Sequence, residues 1–384
     1  MHQCNICDTS LGDPIFISDA RMSITSLCEL VEGRVQIWVC TNCGHLLGNE
    51  LPNINEYYEN DYRILLNSDD EDQIYEVIED KIIYRTDHQA NTLLKQLHIP
   101  PNALLLDYGC AKASTPKRLL AQKNDLKIHL FDVSGMYVSY WNDFVPEDCQ
   151  AIHNEPKSWQ KRFDLVTSFF ALEHISHPRN TVRHIASLLK DDGVFYGIVP
   201  DTFGNVADFV VMDHVNHFTK SSLQALLFDA GFNEITIDPM LHRGALVFSA
   251  RMQGSKSRTL DANIEITRAT SLSKYWQNAS NNILEAESKI ADKEIAIYGS
   301  GFYGSYIFSV LRNPENIKYF IDRSPFQQGK ILFGIPILDP ENLPENITTM
   351  FIGLNPSIAR ETVGKTYWSS NTAMNFIFLD EYTK

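Results

Sequence analysis

From Ala103 onward, short apolar runs alternate with stretches of helical period. Leu104–Tyr108, Ile128–Phe131 and Asp164–Ser168 read as strands, Thr115–Gln122 and Pro178–Leu189 as helices, and Val194–Val199 as a further buried strand. Strands that alternate with helices in this way predict a parallel sheet covered on both faces. Polar residues over roughly 253–290 predict a helical separator. After it, Glu294-Ile295-Ala296-Ile297-Tyr298 opens a second α/β pattern that runs to Lys384. Upstream the pattern is weaker. Arg34–Val39 alternates polar and apolar like a half-buried strand, and Ile74–Leu97 is expected to be a helix. Between them lies the aromatic and acidic segment Glu56-Tyr57-Tyr58-Glu59-Asn60-Asp61-Tyr62.

Length and composition sharpen this picture. A chain of 384 residues with 44% hydrophobic and 21% charged positions has room for two or three apolar cores. The expected division is a module with its connector over 1–95, a central α/β domain over 96–255, and a C-terminal α/β domain with its helical linker over 256–384. A net charge of −15 opposes a phosphate backbone, so nucleic acid is excluded as the expected partner. The start MHQCNICDTS has neither a basic nor an apolar signal region, and no apolar run reaches the ~18 residues of a membrane span. The expectation is a cytoplasmic protein without a membrane partner. Its oligomeric state is left open.

The most specific local signal is Cys4-x-x-Cys7 with Cys40-x-x-Cys43. Two such knuckles bring four thiolates to the corners of a tetrahedron around Zn²⁺, and with all four corners filled the metal is structural. Iron suits the same spacing, and Cys28 and His45 are alternative ligands. At the first strand of the central pattern, Asp107-Tyr108-Gly109-Cys110-Ala111-Lys112-Ala113 places an acid at the strand end before a turn of small residues. Asp132 ends the next strand, where a carboxylate can accept hydrogen bonds from a ribose diol.

These residues, together with Phe163-Asp164-Leu165-Val166, resemble the motifs of class I S-adenosylmethionine-dependent methyltransferases. Ala111 and Ala113 stand where that family has glycine, which suits a tight turn if their φ is negative. The resemblance implies a Rossmann-like central domain binding S-adenosylmethionine through Asp107, Gly109, Ala111, Asp132, Val133 and Phe169. A closer resemblance, to sugar C-methyltransferases with a zinc module and a C-terminal Rossmann-like domain, rests on Ala171-Leu172-Glu173-His174-Ile175, Asp213-His214-Val215-Asn216-His217-Phe218 and His242-Arg243-Gly244. Arg243 departs from the family's second glycine. The acceptor it implies is a small molecule, a nucleotide-linked keto-deoxysugar methylated at carbon. His214 would be the base and Asp213 an orienting or charge-balancing group, with Tyr62, His174 and His242 around the acceptor. O- or N-methylation of a sugar or another small molecule is the nearest alternative. Gly299-Ser300-Gly301-Phe302-Tyr303-Gly304 with Asp322 keeps an NAD-binding oxidoreductase open as a rival. Asp213-His214-x-x-His217 also has the spacing of a metal pair, and a non-catalytic scaffold is a third class.

Overall fold

The computed structural model describes residues 2–20, 22–54, 57, 58, 62, 72–79, 81–255, 261–290, 294–380 and 382. Glu56, Glu59, Asn60 and Asp61 of the aromatic and acidic segment lie outside these residues, as do residues 256–260 at the start of the expected C-terminal domain. The chain forms two compact units. One comprises Met1–Leu11, Cys40–Asn205 and Val215–Glu265, and the other Gly12–Val39, Val206–His214 and Ile266–Lys384. Each unit draws on several separate segments of the chain.

The first unit is built on seven strands: β1 (Leu104–Tyr108), β2 (Lys127–Asp132), β3 (Gln150–Ile152), β4 (Phe163–Phe169), β5 (Leu189–Pro200), β6 (Glu234–Asp238) and β7 (Ala245–Arg251). Their order is β3-β2-β1-β4-β5-β7-β6. The first five are parallel, and β7 runs antiparallel to both β5 and β6. Leu105, Leu106, Val166, Phe195 and Ile198 are wholly buried, as near-continuous apolar strands in a sheet covered on both faces must be. Helices α1 (Arg85–Gln96), α2 (Ser114–Gln122), α3 (Pro178–Leu188) and α4 (Lys220–Asp229) supply cover. Thr219 caps α4 through a reciprocal capping box with Ser222. The α/β fold with a Rossmann-like sheet expected of the central domain is therefore present.

The expected helix from Ile74 is corrected. Ile74–Ile78 and Lys81–Tyr84 form an antiparallel hairpin, and the helix begins only at Arg85. The run Ile-Tyr-Glu-Val-Ile followed by Lys-Ile-Ile-Tyr is rich in β-branched and aromatic residues, which pack better on a pleated surface than around a helix. Glu79, at φ 45°, makes the turn.

The second unit holds a six-stranded sheet of β8 (Ile295–Tyr298), β9 (Ile317–Ile321), β10 (Ile331–Leu332), β11 (Ile335–Leu338), β12 (Thr349–Ile352) and β13 (Asn375–Phe378), ordered β10-β11-β9-β8-β12-β13. The connection from β8 into helix α5 (Phe302–Val310) is closed by glycines. A Cβ on Gly304 would collide with the Gly299 carbonyl, and one on Gly353 with the Gly304 backbone. Gly301 has open space around it. Two of the three fingerprint glycines thus serve backbone packing at the strand–helix crossing. Among the described residues, no helix is long and apolar enough to cross a membrane.

Candidate functional site

At the carboxyl ends of β1, β2 and β4 the first unit encloses a cavity of 610 Å³, a volume typical of small-ligand and cofactor sites. Parallel sheets bind ligands at this edge because the strand-to-helix turns open a crevice there. Asp107, Gly109, Ala111, Asp132, Val133 and Phe169, all expected to hold the cofactor, line it. So do Tyr62 and His174.

Asp132 organises the wall. One carboxylate oxygen accepts from the Ala111 N–H at 2.8 Å and the other from the Ser134 N–H at 2.9 Å. The carboxylate therefore ties the loop after β1 to the end of β2. The loop has the wrong handedness for its residues: Gly109 sits at φ 76°, but Ala111 and Ala113 sit at φ 45° and 56°. The negative φ expected for the two alanines is thus corrected. Left-handed backbone costs a non-glycine residue roughly 1–2 kcal/mol, and here the Asp132 bond and a 2.7 Å bond from Trp141 Nε1 to the Ala111 carbonyl hold it. At Gly109 an added Cβ would meet Ala171 Cβ at 2.8 Å, so glycine is required there on both counts.

Asp107 is buried and accepts from Thr167 Oγ1 at 2.6 Å. Burial pushes its carboxyl up to about 7, with the Thr167 hydroxyl acting against the rise and the Asp132 charge adding to it. Burial also raises Asp132, against the pull of its backbone donors. Around the mouth, Tyr58, Tyr62 and His174 form an aromatic triangle with centroids 5.2–5.4 Å apart, and the Tyr58 hydroxyl lies 2.7 Å from His174 Nδ1. Phe170, another left-handed residue at φ 53°, places its ring 3.7 Å beneath the Arg85 guanidinium.

The other catalytic candidates are not among the residues lining the cavity. His242 belongs to a cluster with Tyr75, His88 and Phe170, where burial and the nearby Arg85 charge lower it to about 4. Asp213 and His214 are in the second unit. The carboxylate that meets His214 Nδ1, at 2.6 Å, is that of Asp208. Asp213, its chain neighbour, turns to Ser26 and accepts from both its N–H and its hydroxyl, at 2.6 and 2.7 Å. In the same unit Asp322 accepts from Ser300 N, Ser300 Oγ and Ser324 N at 2.9, 2.6 and 2.8 Å. It locks the second glycine loop as Asp132 locks the first, and most of its acceptor capacity is used within the chain.

Sequence reasoning missed Arg85, Tyr58, Phe170 and Asp208. Arg85 fell inside the helix expected from Ile74, and Asp208 lies in a short 3₁₀ turn with no periodic signal.

Cys4, Cys7, Cys40 and Cys43 converge in the first unit, the sulfurs of Cys4 and Cys43 at 3.7 Å and those of Cys7 and Cys40 at 3.4 Å. Four thiolates at ~2.3 Å from a common Zn²⁺ would sit about 3.8 Å apart, so the donor set fits the metal. Thiol hydrogen bonds from Cys4 and Cys43 hold the Cys40 sulfur well below the usual thiol range, which favours a thiolate there.

Residues 82–237 match a family model described as a methyltransferase domain. A protein of Invertebrate iridescent virus 6 named as a candidate methyltransferase, 235L, is 23% identical over 108 residues, which are 28% of this chain and 41% of that one. The chain thus spans less than half of this viral relative. The structure of human N-acetylserotonin methyltransferase in complex with SAM has 15% identity over 43% of this chain and 52% of its own, with a TM-score of 0.36. For the CurJ carbon methyltransferase the values are 15%, 42%, 51% and 0.35. The matched segment contains the cavity-lining residues from Arg85 to Thr181.

The Asp107 shift has a testable consequence. A carboxyl raised in the folded state contributes stability that is complete below its unfolded value of ~3.9 and is lost as pH rises through about 7. Between pH 5 and 8 the protein should lose stability relative to Asp107→Asn, by up to about 1.4 kcal/mol per pH unit. Chemical denaturation across that range checks it, and parallel profiles would contradict it.

Proposed function

We propose that this chain is an S-adenosylmethionine-dependent methyltransferase acting on a small-molecule acceptor. The observation that carries the reading is Asp132, buried at the end of β2, braced by the loop after β1 and lining the cavity within the matched domain. With two of its acceptor positions used by backbone N–H groups, its remaining lone pairs can take a ribose diol. Asp107 supplies a second acid on the same wall, and Phe169 and Val133 add apolar surface. When bound, the cofactor supplies an electrophilic methyl group; the chain must align an acceptor against it and exclude water. Asp132→Ala should weaken S-adenosylhomocysteine binding at least tenfold in titration calorimetry. An unchanged affinity would remove the ribose assignment.

Within this reading, the acceptor we favour is a nucleotide-linked keto-deoxysugar methylated at a carbon next to its carbonyl. His214 is the proposed base, and the Asp208 contact supports that role. A carboxylate on Nδ1 favours the tautomer with the proton there, which makes Nε2 the basic nitrogen of the ring. Asp208 replaces Asp213 as the orienting group; Tyr62, His174 and His242 remain the proposed acceptor contacts. His214→Asn should lower turnover ~10²–10⁴-fold while cofactor affinity holds, and Asp208→Asn should act in the same direction. Exchange of the acceptor's α-proton with solvent should fall in parallel, and parental turnover in the His214 variant would make that residue structural.

The four-cysteine cluster is proposed to hold one structural zinc within the expected 1–95 module, alongside the 96–255 and 256–384 domains. Elemental analysis should find one zinc per chain, and Cys40→Ser should lose the metal and lower Tm. Protein purified without metal would refute it.

A further inference from the structure

Arg85 carries a charge that no ion pair among the described residues meets, with Glu173 and Asp72 acting on it only at longer range. Its side chain lines the cavity, yet among the described residues no carboxylate lies within ion-pair distance of its guanidinium. Asp72, which also lines the cavity, is engaged elsewhere, accepting from Thr86 Oγ1 and from the Gln73 N–H. Gln73 in turn fixes the arginine twice: its carbonyl accepts from Arg85 N at 2.7 Å and its side-chain oxygen from Nη1 at 2.8 Å. Phe170, in a left-handed conformation that only surrounding structure can enforce, covers one face of the guanidinium. The group is thus half-buried, stacked and held at one nitrogen, with its other donors unclaimed. A partly desolvated cation with no carboxylate in direct contact is costly, and a rigid guanidinium fork suits a planar or tetrahedral oxyanion such as a carboxylate or phosphate.

Arg85 begins α1. One turn further on the same face, Gln89 accepts from Thr115 Oγ1 at 2.6 Å, tying α1 to the helix that follows the cofactor loop. Arg85 is therefore braced against the cofactor side of the cavity. S-adenosylmethionine bears a sulfonium, an ammonium and one carboxylate. Two of these are cations that suit the acidic wall of Asp107 and Asp132, and the carboxylate alone calls for a fixed cation.

We propose that Arg85 binds the α-carboxylate of the cofactor's amino-acid tail, with Phe170 and Gln73 holding its guanidinium in place. This assignment rests on the reading of the cavity as the cofactor site.

The test compares S-adenosylhomocysteine with 5′-methylthioadenosine, which keeps the nucleoside and thioether but has no carboxylate, by calorimetry on the full chain. Arg85→Gln should weaken S-adenosylhomocysteine about 10- to 100-fold, the scale of charge-assisted hydrogen bonds, and leave methylthioadenosine unchanged. Arg85→Lys, which keeps the charge without the fork, should fall between. Equal weakening of both ligands would overturn the proposal, because the loss would then be structural. An unchanged affinity for S-adenosylhomocysteine would overturn it as well, and would direct Arg85 to an anion on the acceptor. Parental protein that binds neither ligand would instead refute the cofactor site on which the proposal stands.

Discussion

Two backbone N–H groups on the Asp132 carboxylate hold the cavity wall together. The bond from Ala111 draws the loop after β1 against the end of β2, and the bond from Ser134 sets the departure of the chain beyond it. Without the first, Ala111 and Ala113 would have little reason to remain in left-handed backbone. With it, the small-residue turn, the strand ends and the cavity they surround become one fixed surface. The cost is a carboxylate out of water, offset by charge-assisted hydrogen bonds. The second unit repeats the device with Asp322, Ser300 and Ser324. The two crossings thus share a carboxylate brace but differ in how many of its acceptor positions the chain uses. At Asp322 the Ser300 hydroxyl takes one more of them.

Electrostatics divide the cavity in the same spirit. Asp107 and Asp132 make one wall acidic, and both are raised by burial, so a cationic ligand would be stabilised there and would in turn favour their ionised forms. Arg85 stands on the wall formed by α1, separately braced by Gln73 and Phe170. A cavity lined by both acids and a cation suits a zwitterionic ligand tail better than a neutral one.

Much of this was legible in the chain. Strand ends announce themselves through apolar runs stopped by an acid, so the positions of Asp107, Gly109 and Asp132 at the strand ends and the turn between could be read before any coordinates. Paired Cys-x-x-Cys spacing gave the cysteine cluster for a comparable reason, since a metal knuckle is local in sequence. What escaped was non-local or conformational. Backbone handedness at Ala111 and Ala113 depends on a bond from a residue about 20 positions away. Asp208 reaches His214 from a 3₁₀ turn that no periodicity marks. The hairpin before Arg85 lost to a helix reading because the sequence between its strands carries no glycine or asparagine to advertise a turn. That error also hid Arg85, which emerges at a helix start rather than within a helix face.

The chain has two glycine loops, each braced by an aspartate, and the central claim is that the first of them takes the methyl donor. Backbone amide shifts on adding S-adenosylhomocysteine to the intact protein test this most directly. The account predicts movement of Gly109 to Ala113 and of Asp132 to Ser134, with the amides of Gly299 to Gly304 unmoved; shifts confined to Gly299–Gly304 and Asp322 would contradict it.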